Sequence, residues 1–300
     1  MTDSSTSVYA HSGKLGMGFF VVPLGGAVGA ILLSIIYAYI TVCSPIAGYI
    51  SLLFVGGLAF GLAFLISRLE RVAKCRKPAF LNLGGLVCGL LALYTSWVTF
   101  ECALLARSDG GIDATMLEIF MSPAAVWGHA LAINENGWYS MFGGTPSGIV
   151  LWLIWGIEAI IIVVGPTILA TMGLEDEVFC ESCNRWCGQT LDAVRLAPPE
   201  GEDDLKELRP DNLGPLQALQ PAEQDVYPFL RIDMWHCDSC NQTAALQAKF
   251  CAVEADGDGD PKQKAENLTQ IWLVEPAALV EVTSIGGGGG AGEAEGVEQA

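Results

Sequence analysis

The chain has 300 residues, of which 52% are hydrophobic and only 16% are charged, whereas roughly 25% are charged in an average soluble domain. Its formal net charge of −18 is unevenly placed, because residues 1–172 carry −1 and residues 173–300 carry −17. Nucleic-acid binding needs clustered lysine and arginine, so this charge excludes the acidic half as a nucleic-acid-binding domain.

Four apolar runs in the first half approach the ~20 residues that cross the hydrocarbon core of a bilayer. They follow a polar N-terminus, residues 1–14, that we expect to be disordered. The sequence therefore predicts a membrane all-α four-helix bundle over residues 15–172. Its spans are Met17–Val42, Ile46–Ser67, Ala79–Phe100 and Ile149–Thr171.

The orientation of the bundle follows from the basic residues of its loops. The loop Arg68–Lys77 holds five of them, the loop Cys43–Pro45 holds none, and the segment 102–147 holds only Arg107. Lysine and arginine accumulate in cytoplasmic loops. We therefore expect a multi-pass inner-membrane protein with both termini in the cytoplasm and segment 102–147 outside it.

Within segment 102–147, Ser122 and Pro123 form a helix-start signal, and the helix should end near Asn136 and Gly137. We expect this helix to lie as a lid on the bundle. A surface for a small ligand or a partner is the alternative.

Glycines recur four residues apart in three of the spans. Such spacing lets helix backbones approach closely in lipid and favours association of the helices. The pairs are Gly25 with Gly29, Gly57 with Gly61, and Gly85 with Gly89. Whether they pack within one chain or between copies in a homo-oligomer is left open by the sequence.

Glu158 is the one carboxylate in the fourth run, nine residues inside it. That position is about 14 Å along a helix, near the middle of the bilayer. A carboxyl group there must be protonated, paired or hydrated. Two interpretations remain: a proton or cation relay, and a neutral group that is hydrogen-bonded to a Ser, a Tyr or a backbone carbonyl of a neighbouring helix.

Four cysteines of the acidic half form two Cys-x-x-Cys pairs, Cys180 with Cys183 and Cys237 with Cys240. Two intervening residues let both thiolates face one ion, which is typical of tetrahedral Cys₄ zinc sites. The sequence therefore predicts zinc as a cofactor. Cys187, four residues beyond Cys183, is an alternative ligand. Binding of iron, or a redox-active thiol pair, is an alternative role for the cysteines.

The cysteine pairs lie in residues 173–285, which we expect to form a small cytoplasmic, β-rich, zinc-ribbon-like domain. The pairs are 53 residues apart, more than the roughly 15–20 of common zinc ribbons. The excess falls on residues 197–225, whose Pro, Gly and acidic content predicts a flexible insertion. Residues 286–300 form a Gly-rich acidic tail that we expect to be disordered.

The run Phe179–Cys187, preceded by a helix that carries Trp155 and Glu158, resembles a group of uncharacterised bacterial inner-membrane proteins. The segment Asn134–Trp138 is also similar to that group. The resemblance implies four transmembrane helices and a C-terminal cytoplasmic zinc-ribbon-like domain. It implies no activity.

No catalytic constellation is recognisable, so we expect a protein that is not an enzyme. The sequence favours a membrane scaffold or sensor, embedded in the lipid bilayer, whose cysteine domain binds a cytoplasmic protein partner. A small transporter or channel subunit that uses Glu158 is the alternative. A membrane thiol-redox protein is a further one.

Overall fold

The computed structural model describes residues 8–44, 47–107, 115–139, 144–199, 201, 205–223, 226–255 and 261–285. The chain divides into two compact units. A helical unit begins at residue 12 and ends at residue 175, and a sheet unit combines the residues from 176 onward with the N-terminal residues up to 11. The predicted fold class, a membrane helical bundle followed by a small β-rich domain, is confirmed.

The described part of the helical unit contains six helices. They are α1 (Gly18–Cys43), α2 (Ala47–Ala73), α3 (Pro78–Arg107), α4 (Met116–Phe120), α5 (Pro123–Asn136) and α6 (Gly148–Leu169). Four of them, α1, α2, α3 and α6, are long and apolar enough to span a membrane. Helix α2 continues past the apolar run into the basic loop, because Leu, Arg and Glu are good helix formers. Pro45 of the first predicted loop and Ile46, the predicted start of the second span, lie outside the described residues.

Helices α1 and α6 each pack against both α2 and α3, so the four long helices form a bundle. Helices α3 and α6 approach each other closely at Gly85 and Gly89. A Cβ atom on Gly85 would lie 2.6 Å from the backbone oxygen of Pro166, and one on Gly89 would lie 2.8 Å from that of Ile162. This glycine pair therefore packs within the chain. Around Gly57 a Cβ atom would meet no atom within 4 Å in the described structure.

Helix α5 begins at Pro123 and ends at Asn136, as the sequence predicts. Gly137 follows with φ +71°, a backbone conformation that glycine adopts without steric cost. His129 Nδ1 lies 2.9 Å from Oε2 of Glu101, which is buried on α3. This hydrogen bond links α5 to α3 at the end of the bundle. The sequence analysis missed it, because 28 residues separate the two side chains.

The described part of the sheet unit contains seven strands and two short helices. They are β1 (Phe179–Cys180), β2 (Arg185–Trp186), β3 (Gly188–Leu196), α7 (Gly214–Gln217), β4 (Phe229–His236), β5 (Ala244–Ala255), β6 (Pro261–Asn267), β7 (Trp272–Val274) and α8 (Pro276–Ile285). Strands β1 and β2 form a hairpin. The other five form one antiparallel sheet in which β3, β4, β5 and β6 are successive neighbours and β7 pairs with β5.

Alternate residues of the central strands fill two apolar cores. One core joins Leu196, Leu230 and Leu246 of the sheet to Leu216 of α7 and Val282 of α8. The second lies beneath the cysteine pairs. Burial of this apolar surface is the main favourable term that fixes the strand register.

Two segments of the sheet unit are more ordered than the sequence predicts. In the expected N-terminal disordered segment, Val8 pairs with Trp272 and Tyr9 N donates to the backbone oxygen of Ile271. In the expected flexible insertion, residues 205–223 include α7, whose Leu216 is fully buried. Apolar side chains spaced along these polar stretches find places on the sheet. The predicted tail, residues 286–300, lies outside the described residues.

Candidate metal centre

Each cysteine pair sits on a tight turn at the end of a strand. In the first turn, Cys180 ends β1, and Asn184 has φ +51°, a left-handed conformation that asparagine tolerates. The chain returns through β2, and Cys187 N donates to the backbone oxygen of Val178 at 2.8 Å. This closing bond fixes the turn.

The second turn repeats the first. Cys237 follows β4, and Asn241 has φ +51°. Cys237 N donates to the backbone oxygen of Thr243 at 3.0 Å. Both turns therefore read Cys-x-x-Cys-Asn, with the asparagine in the left-handed region directly after the second cysteine. The two halves of the site are built alike although 60 residues separate Cys180 from Cys240.

The strands bring the four thiols of these turns together. The Sγ atoms of Cys180, Cys183, Cys237 and Cys240 all lie within 4.8 Å of one another. The Sγ atoms of Cys180 and Cys240 are 3.7 Å apart. In a tetrahedral zinc–thiolate site with Zn–S bonds of ~2.3 Å, neighbouring sulfurs are separated by about 3.8 Å. The donor set and its dimensions therefore fit one four-coordinate metal ion.

The charge of the four thiols also fits a cation. Burial raises the pKa of Cys180, but hydrogen bonds from Thr243 and from the backbone of Cys183 outweigh it, so the pKa is lowered overall. The pKa of Cys183 is raised, first by its hydrogen bond with Cys240. The negative charge of an ionised Cys180 also contributes to the raised pKa of Cys183. A divalent cation would remove that conflict and let all four ionise.

Residues outside the pairs hold the turns in place. Thr243 Oγ1 donates to Cys180 Sγ at 3.2 Å. Trp235 is fully buried under the site, and its indole N–H donates to the backbone oxygen of Asp176. Phe179 N donates to the hydroxyl of Tyr9 at 2.9 Å. Sequence analysis missed Tyr9 because nothing local links residue 9 to residue 179.

Cys187 lies beside the site but is not one of the four thiols that converge. It is buried, and burial, followed by the nearby cluster thiols, raises its pKa to about 12. Its exclusion rests on position, because its Sγ atom is not one of the four that lie within 4.8 Å of one another. Cys251 is buried on β5, within the larger sheet. The structure therefore separates the two pairs from the other cysteines.

Glu158 lies in the helical unit, partly buried on α6. Its carboxylate accepts a hydrogen bond from the hydroxyl of Ser51 on α2. It lines a cavity of about 620 Å³, counted to its open mouth, together with residues of α1, α2, α3 and α6. Of the two interpretations of Glu158, the hydrogen-bonded neutral group is the one that predicts such a bond to a serine of a neighbouring helix. The cavity is what sequence analysis missed, because it forms only when the helices pack.

Comparison of the chain with protein-family models, with curated proteins and with solved structures finds no match.

Proposed function

We propose that this protein is a non-enzymatic membrane scaffold or sensor whose sheet unit folds around one structural zinc ion and binds a protein partner. The observation that carries the proposal is the convergence of four cysteine Sγ atoms within 4.8 Å. These thiols belong to a chain that also has four helices long and apolar enough to span a membrane.

A structural role for the metal follows from the number of ligands. Catalytic zinc keeps one coordination position open for water or substrate, whereas four thiolates close the tetrahedron. The ligands would be Cys180, Cys183, Cys237 and Cys240. Both turns lie at the edge of the apolar core that contains Trp235 and Val178, so a bound ion would tie the β1–β2 hairpin to the larger sheet.

The proposed partner is a cytoplasmic protein with a basic surface. The sequence from residue 173 onward carries a net charge of −17, and complementary charge accelerates encounter and suppresses partners of like charge. The basic loop Arg68–Lys77 supports a cytoplasmic position for this part of the chain, and the resemblance to bacterial inner-membrane proteins supports that membrane.

The test of the metal is elemental analysis of the full-length protein purified without added metal. We expect one zinc per chain in the wild type and loss of zinc in Cys237→Ser. Because metal binding and folding share one free energy in such sites, the variant should also expose its sheet unit to proteolysis. Cys251→Ser is the matched control, since that thiol is outside the cluster, and it should keep its zinc.

Iron in place of zinc, or a disulfide between the pairs in freshly isolated protein, would contradict the structural-zinc proposal. A disulfide would support the thiol-redox alternative.

Capture of proteins by the full-length chain in nanodiscs, with Cys237→Ser as the comparison, tests the partner. The scaffold proposal fails if wild type and variant retain the same proteins.

Orientation is tested with a membrane-impermeant thiol reagent applied to intact cells. The reagent should not reach Cys183 or Cys240, two cysteines that are partly exposed in the structure, until the cells are permeabilised. The metal is removed beforehand, because bound metal would protect both thiols from the reagent. Labelling of either residue in intact cells would place the sheet unit outside the cytoplasm.

A small transporter or channel subunit is the second candidate, and the cavity at Glu158 favours it. Its test is flux of protons and cations into vesicles that contain the wild type or Glu158→Gln. We expect no flux from either. A flux that is present in the wild type and absent in the variant would make transport the function and would contradict the scaffold proposal.

A further inference from the structure

The cavity at Glu158 lies inside the helical unit, toward the end of the bundle where the chain leaves α3 and returns to α6. Its wall includes Tyr37 and Thr41 near the end of α1, Trp97 of α3, and Trp155 and Glu158 of α6. It opens at a mouth, and its atom-free space is about 620 Å³ when the open solvent at that mouth is counted. It belongs entirely to this unit and is independent of the cysteine site.

The wall of the cavity is aromatic and acidic. Of the fourteen described residues that line it, six are aromatic, and Trp97 and Trp155 meet edge to face with their ring centroids 4.8 Å apart. Glu158 is the one acidic residue in this set, which contains no Lys, Arg or His. Tyr37 and Tyr139 both lie within electrostatic range of that carboxylate. The combination favours a cation, which can interact with the carboxyl group of Glu158 and with the aromatic rings.

The wall is poorly suited to a metal ion. Calcium ions bind several oxygen ligands, which in proteins include more than one carboxylate or carbonyl oxygen. Glu158 is the one carboxyl group among the described residues of the wall. Aromatic rings offer a metal ion no such ligand, but they bind the alkyl groups around a nitrogen. An anion would face Glu158 with no basic residue in the wall to bind it.

We propose that this cavity binds a substituted ammonium ion. The positive nitrogen lies against Glu158 and the indoles of Trp97 and Trp155. Choline and ethanolamine have this chemistry, either as free molecules or as the headgroups of lipids. The inference goes beyond the scaffold proposal and does not depend on the metal.

The test uses the full-length chain in nanodiscs of phosphatidylglycerol, whose headgroup contains no nitrogen. Choline is titrated calorimetrically against its neutral isostere 3,3-dimethyl-1-butanol, in which carbon replaces the charged nitrogen. We expect choline to bind at least tenfold more tightly than the isostere. Equal affinities, or no heat from either ligand, would overturn the proposal.

Glu158→Gln keeps the size of the side chain and its hydrogen bond with Ser51. It should lose at least tenfold in choline affinity and leave binding of the neutral isostere unchanged. If the variant unfolds, Trp155→Leu tests the aromatic wall, with Trp127→Leu as its control, because Trp127 is exposed and outside the cavity wall. Unchanged choline affinity in a folded Glu158→Gln or Trp155→Leu would sink the proposal.

A second set of nanodiscs distinguishes the two sources of the ligand. Phosphatidylcholine or phosphatidylethanolamine is added, and native mass spectrometry measures the lipid retained by the protein. Selective retention by the wild type, together with weakened binding of free choline, identifies a lipid headgroup as the ligand. Binding of free choline that these lipids do not weaken identifies a free amine. Both outcomes support the ammonium site.

Discussion

The contact between α3 and α6 offers a sharp test of how the helical unit is held together. We consider Gly85→Ala, which adds one methyl group where α3 and α6 approach each other closely. The new Cβ atom would lie 2.6 Å from the backbone oxygen of Pro166 and 2.9 Å from the Cα atom of Thr167. Ordinary van der Waals contact begins at 3.4 Å, so one helix must move by as much as 0.8 Å. Backbone atoms cannot rotate away as a flexible side chain would.

The magnitude follows from two opposing terms. Overpacking of a close contact costs about 1–3 kcal/mol. Alanine gains up to ~1 kcal/mol over glycine in helix propensity. Gly57→Ala isolates the second term, because nothing lies within 4 Å of its new Cβ atom in the described structure. We therefore expect Gly85→Ala to be about 1–3 kcal/mol less stable than Gly57→Ala, although both replace a glycine of a four-residue-spaced pair.

The assay is equilibrium unfolding of the full-length chain in mixed micelles, in which the fraction of denaturing detergent is raised and tryptophan fluorescence is followed. The unfolding free energies of the two variants are compared with that of the wild type. If Gly85→Ala is as stable as Gly57→Ala, the close approach of α3 and α6 does not limit packing and our reasoning is wrong. If both lose stability equally, glycine at these positions acts through something other than this contact.

Three further predictions concern buried polar groups. Asp233 is fully buried between the cationic side chains of Arg231 and Lys249. In urea titrations, Asp233→Asn should lower the free energy of unfolding of the sheet unit by about 3 kcal/mol. A loss below about 1 kcal/mol would contradict this role. His129→Ala leaves the carboxyl group of Glu101 without its hydrogen bond to α5, so hydrogen exchange of the α5 amides should become faster. Unchanged exchange would show that this bond does not hold the helix. Burial raises the pKa of Cys251, which leaves little thiolate at pH 8. Peptide mapping should therefore find Cys251 alkylated far more slowly than the exposed Cys43, and the difference in rate should shrink after denaturation or as the pH rises toward the raised pKa. Equal alkylation rates in the native protein would show that Cys251 is not buried.

The sequence was sufficient for features that depend on local chemistry. The length of an apolar run decides whether a helix can cross a bilayer, and all four predicted spans correspond to long apolar helices. The Cys-x-x-Cys spacing already orients two thiols toward one point, so the grouping of Cys180 and Cys183 with the second pair followed from pattern alone. The start of α5 at Pro123 and its end before Gly137 followed from capping preferences in the same way.

The tertiary structure decided which of several equivalent local patterns is used. Gly57 and Gly85 have the same spacing to a second glycine, but only Gly85 faces the backbone of another helix. Tyr9 lies in a polar segment that carries no periodic signal, and its place on the sheet depends on partners some 170 residues away. The cavity around Glu158 exists only between packed helices. Local propensity and periodicity report on neighbours along the chain, whereas these features arise from contacts between distant segments, which burial of apolar surface selects.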